Sequence, residues 1–469
     1  MRITFVITNA FGSGGTIRTT LTMAAALADR HDVEVVSVHR HREEPMLPVD
    51  PRVRLRVLVD DSPSNVARRK SGLNPVRRLK GLATGALGRV PSRLAHPNDV
   101  RYKVFSLRTD LALIRFVRSL PEGGVVVGTR PSLNLILARY APSGVIAVGQ
   151  EHMHLKKHAA PMQAAFQRLY PRLDEMVTLT EGDAQDYREL LGEGGRVSSM
   201  PNSVPDVGDA RAAHDPDTKV IVAAGRLTRQ KGFDRLVAAW AIVARKHPDW
   251  KLDIFGAGAQ EALQARIDKK NLTDVITLRG FTAEVHDRFA ESAAYVMSSR
   301  SEGFPMVLLE AMACRLPLVS FDCPTGPADI IEEGRNGLLV PDGDVKALGA
   351  ALNKIIEDPE ARRRMGDAGL EMARDYAPDR IAARWEKLFE QLQGEPRRRT
   401  ERPAKVSPAE SPAKASASGT GKVSPEGPAS VSPGGAAKVS PEGPATVSPE
   451  GPATVSPEGP ATTGTGEGS

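Results

Sequence analysis

Short apolar runs of strand length alternate with helical segments along most of this chain, and that alternation is met by parallel sheets covered with helices on both faces. In the first half the candidate strands are Ile3 to Thr8, Val33 to Val38, Leu55 to Val59, Val125 to Thr129, Val145 to Gly149 and Met176 to Thr180. In the second half they are Val220 to Ala224, Lys251 to Phe255, Val275 to Leu278, Ala294 to Ser298, Leu316 to Phe321 and Leu338 to Val340. The fold class read from this order is α/β, with two doubly wound domains facing a central cleft and ligands bound beyond the carboxyl ends of the strands. An N-terminal domain is expected over 1–200 and a second domain over 219–378. Between them a linker over 201–218 carries Pro201-Asn202-Ser203-Val204-Pro205-Asp206, where proline and polar residues break the pattern. Near the end, Pro378-Asp379 opens a helix from Arg380 to Gln393 with Ile381, Trp385, Leu388, Phe389 and Leu392 on one face.

At 469 residues and 41% hydrophobic content, the chain has room for sizeable cores. No run of 18 apolar residues occurs, and the apolar start Ile3 to Ile7 is too short for a signal-peptide core, so a cytoplasmic location is expected. The two cysteines, Cys314 and Cys323, give no disulfide framework and no four-thiolate metal site. Charge is uneven. Between Asp60 and Arg118, thirteen basic residues (Arg68, Arg69, Lys70, Arg77, Arg78, Lys80, Arg89, Arg93, Arg101, Lys103, Arg108, Arg115 and Arg118) face four acidic ones. Such a block over 68–118 can hold a protein against an anionic membrane or be an ordinary solvated face. Nucleic acid is not the expected partner, because only Tyr102, Phe105 and Phe116 are aromatic there and no recognised module accompanies them. Within the expected tail, 395–469, the composition turns after Arg399 to Pro, Ser, Gly, Ala, Val, Thr and Glu, with five eight-residue copies of the Lys422–Ala429 type between Lys422 and Ala461. Eight residues with two prolines make no solenoid unit, and a disordered tail is expected.

The chemistry concentrates in Arg300-Ser301-Glu302-Gly303-Phe304-Pro305-Met306-Val307-Leu308-Leu309-Glu310. Proline before a run of good helix formers sets Glu302 on a loop and Glu310 on a helix, while Gly303 permits close backbone approach and the helix start offers unpaired N–H groups to phosphate. Arg226 follows the strand Val220 to Ala224, and Lys231 stands on the turn into a helix that Phe233 begins, so a bidentate donor and a point charge meet at a strand end. The two carboxylates can also be read as a glycosidase acid and base, which leaves Arg226 and Lys231 without a role. After the first strand, Phe11-Gly12-Ser13-Gly14-Gly15-Thr16 leads to a helix from about Ile17 to Ala28 and implies an anion loop. Ile17 stands where a dinucleotide loop needs glycine, and Thr16 where a P-loop needs lysine. Gln150-Glu151-His152-Met153-His154 ends at the expected cleft, where His152 suits a ligand or acceptor contact and His152, His154 and His158 have zinc-like spacing as an alternative. Asp342-Gly343-Asp344 fits a cation-binding pattern but stands in a turn before a helix from Val345, where Asp344 suits an N-cap, and no metal or other cofactor is expected.

These segments resemble family 4 glycosyltransferases. Glu302 and Glu310 match the Glu-x(7)-Glu signature, Gly225-Arg226-Leu227-Thr228-Arg229-Gln230-Lys231-Gly232-Phe233-Asp234 matches the phosphate-binding stretch, and Asn336-Gly337-Leu338-Leu339-Val340-Pro341 matches the turn after the donor site. The similarity covers roughly Met1 to Gln393 and is looser in the N-terminal half. It implies a GT-B fold of two Rossmann-like domains, with the last helix crossing back onto the first. It also implies transfer of a sugar from a UDP- or GDP-linked donor with retention of configuration. In that reading Arg226 and Lys231 hold the diphosphate, Glu310 takes the ribose hydroxyls, Glu302 meets the sugar, and Gly14 and Gly15 close over the diphosphate or acceptor. Gly303, Phe304 and Pro305 belong to the donor site, and His152 lies near the reacting sugar. The acceptor is expected among lipid-linked or polymeric glycans and small glycosides. An epimerase or phosphorylase on the same scaffold, or a silent scaffold recruiting partners through its tail, are the competing readings.

Overall fold

The computed structural model describes residues 1–71, 84–204 and 218–395. Arg77, Arg78 and Lys80 of the basic block, the side chains of Arg69 and Lys70, linker residues 205–217 and tail residues 396–469 lie outside the described residues.

Two parallel sheets carry the chain. The first contains β1 (Arg2–Asn9), β2 (Asp32–Arg40), β3 (Arg54–Asp60), β4 (Val125–Gly128), β5 (Ile146–Gln150), β6 (Glu175–Thr178) and β7 (Val197–Ser199), in the order β3-β2-β1-β4-β5-β6-β7. The second contains β8 (Val220–Ala224), β9 (Lys251–Phe255), β10 (Ile276–Gly280), β11 (Ala294–Met297), β12 (Leu318–Asp322) and β13 (Gly337–Pro341), in the order β10-β9-β8-β11-β12-β13. The order reverses between β1 and β4 in one sheet and between β8 and β11 in the other, and a crevice opens at such a reversal because the flanking crossovers leave on opposite faces. Ile3 lies opposite both Val33 and Val125, which fixes the central register of the first sheet.

Period-two alternation explains why both faces of the first sheet are dry. Val6, Val36 and Val126 point into one cluster, while Phe5, Ile7, Val35 and Val127 point into the other. The second cluster is closed by the C-terminal helix Pro378–Gln393, whose Ile381, Trp385, Phe389 and Leu392 pack beside Ile3 and Phe5 although the helix follows the second sheet in the chain. Cys314 and Cys323 are buried and are not joined in a disulfide.

Three local elements differ from the sequence reading, the first two for physical reasons. β7 is an additional edge strand, and half-buried Ser198 and Ser199 give it no apolar period to read. β12 starts at Leu318 rather than Leu316 because Pro317 has no N–H for the ladder, though its carbonyl accepts from Tyr295 N at 3.0 Å. The helix after the first strand begins at Gly15 rather than Ile17. Among the described residues, no helix is long and apolar enough to cross a membrane.

Candidate functional site

Beyond β8 the chain makes a single 3-10 turn, Arg229–Lys231, before the helix Phe233–Lys246. Gly232 between them has φ 66°, and a Cβ there would stand 2.0 Å from the carbonyl oxygen of Ser298. Glycine is therefore required twice over, by the left-handed backbone and by the contact. That close approach, with Ser298 Oγ donating to Lys231 O at 3.0 Å, seats the turn against the end of β11. Lys231 Nζ then reaches Glu302 Oε1 at 2.7 Å, and Ser299 Oγ donates to the same oxygen. Glu302 is itself buried, its loop held by Glu302 N donating to Pro324 O at 2.9 Å. A second clamp joins the same elements where Arg300 forks onto Asp234 at 2.8 and 2.7 Å. Sequence reasoning sends Lys231 and Glu302 to different parts of a ligand; the fold pairs them with each other. Arg226, two residues beyond β8, is exposed and has no side-chain partner among the described residues.

Glu310 sits within the helix Met306–Ala313, whose start has no side-chain cap. Its carboxyl is almost fully buried, 3.8 Å from Arg18 Nη1 and 4.0 Å from His286 Nε2. Burial raises its pKa to about 7, against the pull of Arg18 and Lys231. Gly303 does permit a close approach, but the approaching group is the His152 carbonyl, 2.6 Å from where a Cβ would stand. Phe304 is buried beside Tyr376, and Pro305 lies under Gly326.

Gly14 and Gly15 form the N-cap and first residue of the helix Gly15–Leu27. A Cβ at either would meet nothing within 4 Å, so protein packing does not account for glycine there. Arg18, one turn on, reaches across to Glu310. His152 follows β5, its Nε2 buried without a partner among the described residues and its pKa lowered to about 3 by burial and by the charge of Arg130. His154 and His158 turn elsewhere: His154 Nε2 lies 3.4 Å from Thr325 Oγ1, and His158 packs edge-on against Phe166. Two more contacts bring β5's loop onto the second sheet's side, with Lys157 Nζ donating to Ser301 Oγ at 2.5 Å and Gly303 under His152. Asp342 pairs with Arg235 at 2.8 Å, and Asp344 caps the helix Val345–Glu357 by accepting from Ala347 N at 2.9 Å.

Four further residues belong to this cleft. Arg18 carried a readable signal, a cation in the first turn of a helix behind a glycine-rich loop. His286 gave none, being a polar residue on the short helix Val285–Ala290. Arg130, half-buried at the end of β4, and Glu151, fully buried at the end of β5, follow strands whose carboxyl ends the fold turns into the cleft.

Residues 209–372 match the family described as Glycosyl transferases group 1. The chain carries a group 1 glycosyltransferase domain. Over 415 residues it is 35% identical to an exopolysaccharide phosphotransferase of Streptomyces coelicolor, covering 87% of this chain and 43% of that protein. A match to an uncharacterized glycosyltransferase of Haemophilus influenzae, 31% identical over 218 residues, covers 46% of this chain and 61% of that protein, so the chain spans only part of these two relatives. It spans 99% of an amylovoran biosynthesis glycosyltransferase of Erwinia amylovora, with 26% identity over 399 residues and 83% of this chain covered. A TarM mutant of S. aureus, solved with Fondaparinux, alpha-GlcNAc-glycerol and UDP, superposes with a TM-score of 0.64 at 14% identity, covering 83% of this chain and 99% of that one. The fold of the chain is GT-B.

Proposed function

We propose that this protein transfers a sugar from a UDP- or GDP-linked donor to a cell-envelope glycan, glycolipid or glycoside acceptor, retaining the anomeric configuration and using no metal. The observation that carries the reading is the Lys231–Glu302 contact at the end of β8, with Glu310 on the adjoining helix. Cleaving a sugar–phosphate bond builds negative charge on the leaving diphosphate, and Lys231 with Arg226 supplies fixed positive charge where it develops. Glu302, freed of Lys231 when phosphate takes the ammonium, is left facing the sugar, where its charge steadies the positive anomeric carbon. Glu310 accepts the ribose hydroxyls. In the same-face mechanism the leaving phosphate oxygen takes the acceptor proton, so no side chain need form a bond to carbon. Gly14 and Gly15 leave room for diphosphate or acceptor over the first sheet, and His152 bonds the sugar or orients the acceptor. Relatives named for exopolysaccharide, amylovoran and poly(glycerol-phosphate) support an envelope polymer as acceptor. The test is transfer of labelled sugar from UDP- and GDP-sugars to envelope extracts with EDTA present: wild type labels a product and Glu302→Gln does not. Equal labelling by both, or loss of wild-type activity to EDTA, contradicts the reading.

Membrane contact belongs to the same proposal. Val90, Val100 and Leu111 are among the few exposed large hydrophobic residues, and they lie among Arg89, Arg93, Arg101, Lys103 and Arg115. Apolar tips within a cationic field suit an anionic lipid surface. Sedimentation with phosphatidylglycerol vesicles, weakened by salt and by Val100→Asp, is the expected result; equal binding to neutral vesicles contradicts it.

A further inference from the structure

On the first sheet's side of the cleft, polar groups are left without protein partners. Thr129 bonds back to Val6 of β1 through both its N–H and its hydroxyl, and Arg130 follows it just beyond the carboxyl end of β4. This is the crevice where the strand order reverses. The guanidinium is half-buried, and among the described residues it has neither a hydrogen bond nor an ion pair. Asp99, the carboxylate whose charge acts most on Arg130, accepts instead from backbone, from Arg101 N at 2.8 Å and Ser132 N at 3.1 Å. Glu151 is equally committed on one oxygen, which accepts from Tyr170 Oη at 2.5 Å and Asn134 Nδ2 at 2.9 Å, while Oε2 has no partner. His152 Nε2 is the third such group, close enough to feel the charge of Arg130. Withdrawing a guanidinium from water without an acceptor is unfavourable, and a ligand anion would remove that cost while matching its planar fork.

We propose that Arg130 anchors an anionic group of the acceptor, a phosphate ester or a carboxylate, so that the acceptor class is a charged glycan or glycan precursor rather than a neutral one. The proposal rests on reading the cleft as a glycosyl-transfer site. Arg130 is a substrate-binding residue that fixes the charged end of the acceptor, leaving His152 to meet its hydroxyls.

The test fills the donor side first with whichever of UDP or GDP raises the melting temperature. Glycerol phosphate and glucuronate are then titrated separately, with glycerol and glucose as neutral controls. At least one anion raises the melting temperature of wild type further, and of Lys231→Ala by the same increment once its nucleotide concentration is raised to saturation; Arg130→Gln weakens that binding about tenfold or more, and Arg130→Lys restores part of it. Which probe binds distinguishes phosphate from carboxylate. Failure of both anions to bind wild type overturns the proposal, as do equal binding by Arg130→Gln and wild type, or loss in Lys231→Ala with retention in Arg130→Gln. If neither nucleotide binds, the transfer reading fails by itself, and the same anion titration on the free protein still decides Arg130.

Discussion

The two walls of the cleft differ in how far their charges are already paired. On the second sheet's side, Lys231, Glu302 and Ser299 satisfy one another, and Arg300 with Asp234 braces the loop. On the first sheet's side, Arg130, His152 Nε2 and one oxygen of Glu151 have no protein partner among the described residues, and Gly14 and Gly15 face open space. A wall whose groups hold each other is organised before ligand arrives, and its ligand must exchange partners with it. A wall of unpaired groups takes its ligand's polar atoms directly.

Breaking the paired wall has the largest expected effect. Glu302→Gln and Lys231→Ala each lower transfer about 100-fold or more, read as initial rates at saturating donor; Glu302→Gln changes the melting temperature little, whereas Lys231→Ala lowers it by leaving buried Glu302 without its cation, and the double variant transfers no worse than the poorer single one if the two act as a unit. Next is Gly232→Ala, which forces a Cβ into the Ser298 carbonyl at a left-handed position. It is expected to cost about 1–3 kcal/mol of stability by denaturant titration and to weaken nucleotide binding, since it unseats Lys231. A stable variant with intact binding would show that the turn does not position the lysine.

Glu310 sharpens the comparison through pH. Its pKa, about 7, means the carboxyl is protonated in the free protein below that pH and charged above it. If the charged form accepts the ribose hydroxyls, nucleotide affinity rises with pH between about 6 and 8 and levels off beyond, at most about tenfold per unit below the pKa. Glu310→Gln binds more weakly at pH 8 and has a flatter profile. Calorimetric titration across that range checks it.

The effect furthest from the transfer chemistry is in Glu151, on the unpaired wall. Burial lifts its pKa to about 8, far above an unfolded glutamate. The sign follows: the folded state holds the proton more tightly, so this contribution is full below the unfolded pKa of about 4.5 and is lost as pH rises towards 8. Glu151→Gln keeps an acceptor for Tyr170 and Asn134 and is expected to flatten that fall, raising stability at pH 8 relative to wild type by an amount on the order of 1–3 kcal/mol. An unchanged pH profile in the variant would assign the fall to other groups.

Legibility divided along the same line as the two walls. The paired wall is encoded locally, with Gly232 and Lys231 in one stretch and Glu302 and Glu310 in another, so residue type and spacing pointed to the site. What no spacing discloses is that Lys231 meets Glu302, because the contact joins turns at the ends of two strands adjacent only in the sheet. The unpaired wall is assembled from the ends of β4 and β5 and the helix after β1, and Arg130 looks like any arginine before a proline. Strand positions were legible wherever burial on both faces made a continuous apolar run, as in β4; β7, half-buried and serine-rich, lacked that signal. The C-terminal helix was readable as amphipathic from Ile381, Trp385 and Phe389, while the sheet that receives it is set by packing alone.

The central claim is that Lys231, held against Glu302, receives the diphosphate of a nucleotide-linked donor. Isothermal titration of UDP and GDP into wild type and Lys231→Ala at one ionic strength tests it most directly. At least one nucleotide is expected to bind wild type and to lose about tenfold or more in affinity on the substitution. Binding of neither nucleotide, or equal affinity for both proteins, would contradict it.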